Sequence, residues 1–320
     1  MDIAVIGSNN VDLITYVTRM PVDGETIEAP DFSIGCGGKG SNQAVAAARL
    51  GAEVLMVTCV GDDAFASMTL ENYRANGIGI DLVKQVPGTS GVAPIFVDPD
   101  SHNRIIIVKG ANNGLAPEDL EAAADRIAQC RLIVVQLEIR METVLAAIDL
   151  GNRLGVPVLL NPAPASPDLD LEWAARCDYV MPNETELALL TGMPVEDEAQ
   201  VREAAMVLLR RGCRHVVVTL GSRGVLWLHG DEDGALLEEA LVPSVQVEAV
   251  DTTGAGDAFI GCFARCLTRG DAVPQALATA NAYAALSVTG RGTQTSYPDA
   301  DTFDQWCSAR GLARGCGRTA

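Results

Sequence analysis

Apolar residues along the chain gather in short runs, and between the runs they return to a helical spacing. Runs at 3–6, 54–60, 132–136, 156–161, 179–181, 216–219 and 224–228 read as strands. Several are continuously apolar instead of alternating, as expected of strands covered on both faces, and amphipathic segments long enough for crossover helices separate them. The pattern predicts an α/β protein with a largely parallel sheet covered by helices. Two segments break the rhythm: "DLITYVTRMPVDGETIEAPDFSI" and "GVAPIFVDPDSHNRIIIVKG" have no helical period, carry β-branched residues in short runs, and contain turn signals at Pro-Val-Asp-Gly and Asp-Pro-Asp-Ser. They predict strands standing off the main sheet as a lid, formed from about 12–35 and 91–109; an edge extension of the main sheet is the plainer alternative. The final stretch 309–320, rich in Gly and Arg, reads as a flexible tail after a domain spanning 1–308.

Composition narrows the partners. The 320 residues are 48% hydrophobic, enough for a large core, and the formal net charge is −19. That balance argues against nucleic acid or an anionic membrane surface, which need clustered Lys and Arg, so an anionic substrate must be caught by a local site. The start "MDIAVIGSNN" has no basic n-region, and no stretch reaches the ~18 apolar residues of a membrane span, so a cytoplasmic protein is expected. Nine cysteines without a C-x-x-C pair read as small buried hydrophobes in a reducing compartment. His102, His215 and His229 lie far apart in sequence and suit packing better than metal ligation.

The stretch "GCGGKGSNQAVAAARLGA" admits several parses. Gly35, Gly37 and Gly40 satisfy G-x-G-x-x-G, but the acid expected roughly 20 residues on, at the end of a second strand, is missing, which weakens a dinucleotide-dependent oxidoreductase. Lys39 is followed by Gly40, so the Gly-Lys-Ser/Thr order of a phosphate-binding P-loop is absent too. In "VDTTGAGDAFIGCFARCL" a strand end gives way to Gly254-Ala255-Gly256, where small residues let backbone approach a ligand and free N–H groups at a helix start make an anion hole. Asp257 stands where a carboxylate takes a proton from an incoming hydroxyl during phosphoryl transfer, and equally where Asp caps a helix.

"MPNETELALLTG" sets Asn183 and Glu186 three apart at a strand-to-helix junction, a pattern that suits Mg²⁺ held through water and also a capping box. "VTLGSRGVLWL" offers Gly221 and Gly224 in a turn open to a nucleotide or to a plain hairpin. Asn10 and Asp12 follow the first strand, where open α/β sheets bind ligands and where a polyol would find donors and acceptors; an Asx-turn is the plainer alternative.

Taken in order, these segments resemble the ribokinase, or PfkB, family of carbohydrate kinases over nearly the whole chain. The glycine stretch at 35–52 is similar to the first family signature and "VDTTGAGDAF" to the second, with "GAN", "QLE", "NPAPA", "PNETE", "TLGSRG" and "GTQTSYP" matching between and after them. The resemblance implies a three-layer α/β/α sandwich with a small β-strand lid and ATP-dependent phosphorylation of a pentose at O5. D-ribose is the acceptor expected and 2-deoxy-D-ribose the alternative. It also implies site residues: Asn10, Asp12, Gly38, Lys39, Asn42 and Glu138 around the sugar, Asp257 as general base, and the N–H groups at Gly254, Ala255 and Gly256 as anion hole. Asn183 and Glu186 would organise Mg²⁺ through water, and Thr219, Gly221, Ser222, Gly224, Gly256 and Asn281 would border ATP together with Asn183. A K⁺ ion would lie by Asp251, Thr253, Ser287, Gly290, Gly292 and Ser296, and the lid would pair two subunits into a homodimer. Relatives vary at the place of Asn281. A non-catalytic sugar-binding module remains possible on fold grounds, but it would be expected to have lost Asp257 or the glycines beside it.

Overall fold

The computed structural model describes residues 1–99 and 103–312. Thirteen strands run β1 (Ile3–Ile6), β2 (Asn10–Tyr16), β3 (Asp31–Gly37), β4 (Val54–Val60), β5 (Val83–Gln85), β6 (Val92–Val97), β7 (Asn103–Ile105), β8 (Leu132–Val135), β9 (Val158–Leu160), β10 (Tyr179–Val180), β11 (His215–Thr219), β12 (Val225–Gly230) and β13 (Leu236–Val242). Nine form one sheet in the order β13-β12-β11-β10-β9-β8-β1-β4-β5, parallel except at β11-β12-β13. β1 lies between β4 and β8, third from the β5 edge of the sheet.

Both faces of this sheet are covered, which is why its strands read as continuous apolar runs. In β4, Leu55, Val57 and Cys59 face one core with the Met141–Leu154 and Glu198–Arg210 helices, while Val54 and Met56 face the other. The second core is built against helix α1 (Lys39–Arg49) and the Ala255–Arg269 and Val273–Ser287 helices. Small residues set the spacing there. A Cβ at Gly261 would come within 2.5 Å of Gln43 O, so only glycine lets the Ala255–Arg269 helix pack so closely on α1. That approach carries Asn42 and Gln43 to Asp257.

The remaining strands form a separate four-stranded sheet, β3-β2-β6-β7, which is the expected lid and not an edge extension. β2 pairs antiparallel with β3 and parallel with β6. The Pro21–Gly24 turn is closed by Glu25 N–H donating to Val22 O (3.0 Å). The second half of the second turn signal and His102 fall on residues 100–102, outside the described residues, as does most of the expected tail. The Ala300–Ala309 helix runs across the expected boundary at 308. No helix among the described residues is long and apolar enough to cross a membrane.

Two histidines that are distant in sequence meet in the sheet. Antiparallel pairing sets His215 opposite His229, their rings stack at 4.3 Å, and Tyr179 and Trp227 extend the stack. Burial first, then His229 and Arg214, lowers the His215 pKa from 6.5 to about 4. The unfolded chain therefore takes up a proton below pH 6.5 that the folded chain refuses until about pH 4. Stability from this group is complete above pH 6.5 and is lost as pH falls through that window. Thermal melts between pH 7 and about pH 4.5 should show a smaller fall in Tm for His215→Phe than for the parent; an equal fall would assign the acid sensitivity elsewhere.

Candidate active site

The carboxyl end of β1 leads through Gly7 and Ser8 directly into β2, so Asn10 and Asp12 stand on the first turnless stretch of the lid. Opposite them, β3 ends at Gly37, and Gly38 (φ 87°) turns the chain into α1. A Cβ on Gly38 would lie 2.7 Å from Asn10 N, and one on Gly37 would lie 2.3 Å from the Asp12 carboxylate. These two glycines are needed for close approach. The stretch therefore serves neither a dinucleotide nor a P-loop geometry: it packs α1 against the start of the lid.

Glu138, in the loop after β8, ties this junction together. Its Oε2 accepts from Ser8 Oγ (2.5 Å) and from the Lys39 backbone N–H (2.9 Å). Asn112 does the same for Asn10. Its Oδ1 accepts from Asn9 N–H (2.9 Å), and its Nδ2 donates to Asn9 O (2.9 Å) and Asn10 Oδ1 (2.8 Å). Because the Asn9 backbone N–H can only donate, the Asn112 amide has one possible orientation, and Asn10 is left presenting its own NH₂.

Asp257 is the third helical residue of Ala255–Arg269, whose N-cap is Gly254 (φ 75°) with no side-chain cap. The helix starts two residues before Asp257, so the capping alternative fails. The carboxylate instead accepts from Asn42 Nδ2 at Oδ2 (2.8 Å) and from Gln43 Nε2 at Oδ1 (2.9 Å). At the helix start the Ala255 N–H turns back to Thr252 O (3.3 Å), which takes up one of the N–H groups expected to form an anion hole.

Charge is concentrated here. Asp12, Glu138 and Asp257 are each less than 9% exposed. Burial, then the charges of Glu138 and Asp257, push the Asp12 pKa up to about 7. Among the described residues none donates a hydrogen bond to Asp12. Burial works against the Lys39 ammonium, yet Asp257, Glu138 and Glu186 outweigh it and hold its pKa above the ordinary lysine value.

A cavity of about 210 Å³ runs from Lys39 and Asp257 past the Gly254–Gly256 backbone to Asn183, Glu186 and Thr219. Asn183 and Glu186 make the capping box in full: Asn183 Oδ1 accepts from Glu186 N–H (2.8 Å), and Glu186 accepts from the Asn183 backbone N–H and Nδ2 (both 2.9 Å). Both side chains also line the cavity, and a carboxylate oxygen has capacity for more than one hydrogen bond. Burial foremost raises the Glu186 pKa.

Through Thr219, Thr252, Ala255 and Gly256 this cavity joins a more apolar cleft of about 350 Å³ bordered by Gly221, Ser222, Gly224, Val245, Phe259 and Asn281. Asn281 is at its edge, but its amide donates to Val242 O (3.0 Å) and Pro243 O (3.3 Å), which fixes β13. Asp251 accepts from Thr253 N–H and Gly292 N–H (both 2.9 Å), joining the loop before the helix to the 288–296 segment. Ser287 and Ser296 donate to Ala284 O and Thr293 O (both 2.8 Å), Gly290 packs on Ser296, and Tyr297 OH donates to Gly254 O (2.9 Å). Sequence reasoning missed Ser8, Gln43, Asn112 and Gln294. "GAN" and "GTQTSYP" marked the last two as part of a pattern without giving either a task.

Residues 1–300 match the model of the pfkB family of carbohydrate kinases. A deoxyribokinase of Salmonella typhimurium is 54% identical over 309 residues, covering 96% of this chain and 99% of that protein. The ribokinase of Mus musculus is 42% identical, covering 92% of this chain and 91% of that protein. The solved ribokinase of Arabidopsis thaliana, complexed with ribose and ATP, superposes with a TM-score of 0.85 at 31% identity, over 94% of this chain and 97% of that one.

Proposed function

Because the chain belongs to the pfkB family of carbohydrate kinases, we infer that it transfers the γ-phosphoryl group of ATP to O5 of a pentose, with D-ribose the preferred acceptor. The observation that carries this reading is the position of Asp257. Its carboxylate accepts from Asn42 and Gln43 and lines the cavity that runs past the Gly254–Gly256 backbone to the more apolar cleft read as the nucleotide site. Asp257 takes the O5 proton as the O5–P bond forms and the bond from phosphorus to the β–γ bridging oxygen breaks, leaving ADP. The charge on the equatorial oxygens meets N–H groups at the helix start, and Lys39 adds a buried positive charge beside them.

The oxygens of Asn183 and Glu186 fit Mg²⁺ held through water, which would offset charge on the phosphates. Asp251, with backbone carbonyls of Thr253, Ser287, Gly290, Gly292 and Ser296, would hold K⁺ through oxygen ligands. The segment that Asp251 joins also holds Gly254 through Tyr297, so a cation there would brace the helix start. We further infer a cytoplasmic homodimer paired through the lid, where Phe32, Ile34 and Ile106 are each at least 49% exposed.

Asn10 supports ribose over 2-deoxyribose. Asn112 occupies the Asn10 Oδ1, which leaves the Asn10 NH₂ as the group offered to a sugar hydroxyl in this reading, and a buried donor without a hydroxyl to meet costs about 1–3 kcal/mol. The 54% identity to a deoxyribokinase favours the other acceptor, so the two sugars must be compared directly. ADP release is expected to give the higher kcat/KM with ribose, and Asn10→Met should move the ratio toward 2-deoxyribose by roughly tenfold. A parent that prefers 2-deoxyribose, or a ratio unmoved by the substitution, would reverse the assignment.

The Asp12 pKa of about 7 sets a pH dependence for the acceptor. Above it the ionised carboxylate is the stronger partner for sugar hydroxyls, so KM for the sugar should fall severalfold from about pH 6 to about pH 8. Asp12→Asn should bind more weakly and flatten that profile. A slope preserved in the Asn variant would place the titration elsewhere.

Activity should rise when K⁺ replaces a bulky organic cation at constant ionic strength, and Asp251→Ala should lose the response. Indifference to the exchange would remove the cation from the proposal.

A further inference from the structure

The Asn42 amide facing Asp257 is the last link in a line of side chains that reaches the outer end of α1. Arg49 Nε donates to Asn76 Oδ1 (2.9 Å), and Asn76 Nδ2 donates to Asn72 O (2.8 Å) and Asn72 Oδ1 (3.2 Å). Asn72 Nδ2 donates to Gln294 Oε1 (2.8 Å), Gln294 Nε2 to Asn42 Oδ1 (2.9 Å) and Ser41 Oγ (3.0 Å), and Asn42 Nδ2 to Asp257 Oδ2 (2.8 Å). Every link points the same way.

The direction is forced by the ends. A guanidinium can only donate and an ionised carboxylate can only accept, so each amide between them has one orientation that satisfies both neighbours. Arg49 is itself held by Gln294 O (2.7 Å) and Tyr297 O (2.6 Å), backbone acceptors that keep it in place. Gln294 and Asn42 are buried, where an amide facing its neighbour with the wrong end loses two hydrogen bonds at once.

We propose that Arg49, Asn76, Asn72 and Gln294 are positioning residues whose one-way hydrogen-bond relay fixes which end of the Asn42 amide faces Asp257. The inference rests on Asp257 being the base. Reversing the line would put Asn42 Oδ1 against Asp257 Oδ2, lone pairs opposed, a contact that proton uptake by the carboxylate relieves. A base that holds its proton is idle.

Asn72→Asp reverses the line without touching substrate. The new side chain cannot donate, so Gln294 turns its NH₂ toward it and its oxygen toward Asn42, which turns in response. Asn72→Ala removes the same hydrogen bonds but demands no turn. The acid limb of kcat/KM against pH should move up by about one unit in Asn72→Asp and further in Gln294→Glu, one link nearer, and stay in place in Asn72→Ala. At neutral pH the two acidic variants should be roughly tenfold slower, recovering toward the parent at high pH. Asn72→Asp combined with Gln294→Ala keeps the new charge but breaks the line, so its acid limb should return to that of Gln294→Ala, whereas a field effect of the charge would persist. An acid limb that moves in neither acidic variant, or equally in Asn72→Ala, or that stays shifted in the double variant, would overturn the relay. Asp257→Asn, assayed beside them, separates the premise: near-parental turnover there removes the base, whereas a loss of about 10²–10⁴ with unshifted Asn72→Asp removes the relay alone.

Discussion

Asp12, Glu138 and Asp257 are buried within reach of one another's charge, and like charges taken out of water together must be met by donors or by protons. Each is met differently. Glu138 receives a hydroxyl and the first N–H of α1, Asp257 receives two side-chain amides, and Asp12 receives no donor among the described residues and moves toward neutral pH. The close contact of α1 with the Ala255–Arg269 helix, the bare glycines at Gly37, Gly38 and Gly261, and the turn from β1 into β2 are all what it takes to bring those donors within reach.

The same constraint shows how a chain of net charge −19 can handle a polyanionic substrate. Long-range attraction is unfavourable, so attraction is supplied locally: Lys39 is kept charged by the carboxylates around it, and the Gly254 backbone opens a helix start toward the cavity. Neither feature needs a basic surface.

Much of this was legible in the chain. Strands buried on both faces announced the doubly covered sheet, and the two segments without helical period announced the lid. Asp257 and its glycines stood out as a pattern, but the sequence read equally as a helix cap, and the N-cap at Gly254 is what removes that alternative. Short or half-exposed strands such as β5 and β13 carried no such signal. Gln43, Asn112 and Gln294 were illegible for another reason. An amide's role depends on what its two ends meet, and those partners come from segments up to about 250 residues apart in this fold. The His215–His229 stack was hidden likewise, because strand register is a property of the pair.

Strand β2 starts at Asn10, so the two residues proposed to meet the acceptor belong to the small sheet itself, on one continuous extended segment. No linker separates them from that sheet. In an exchange of parts between related enzymes the small sheet is therefore not a neutral module: on the proposed reading, a transplanted β2 would bring the donor's acceptor preference with it.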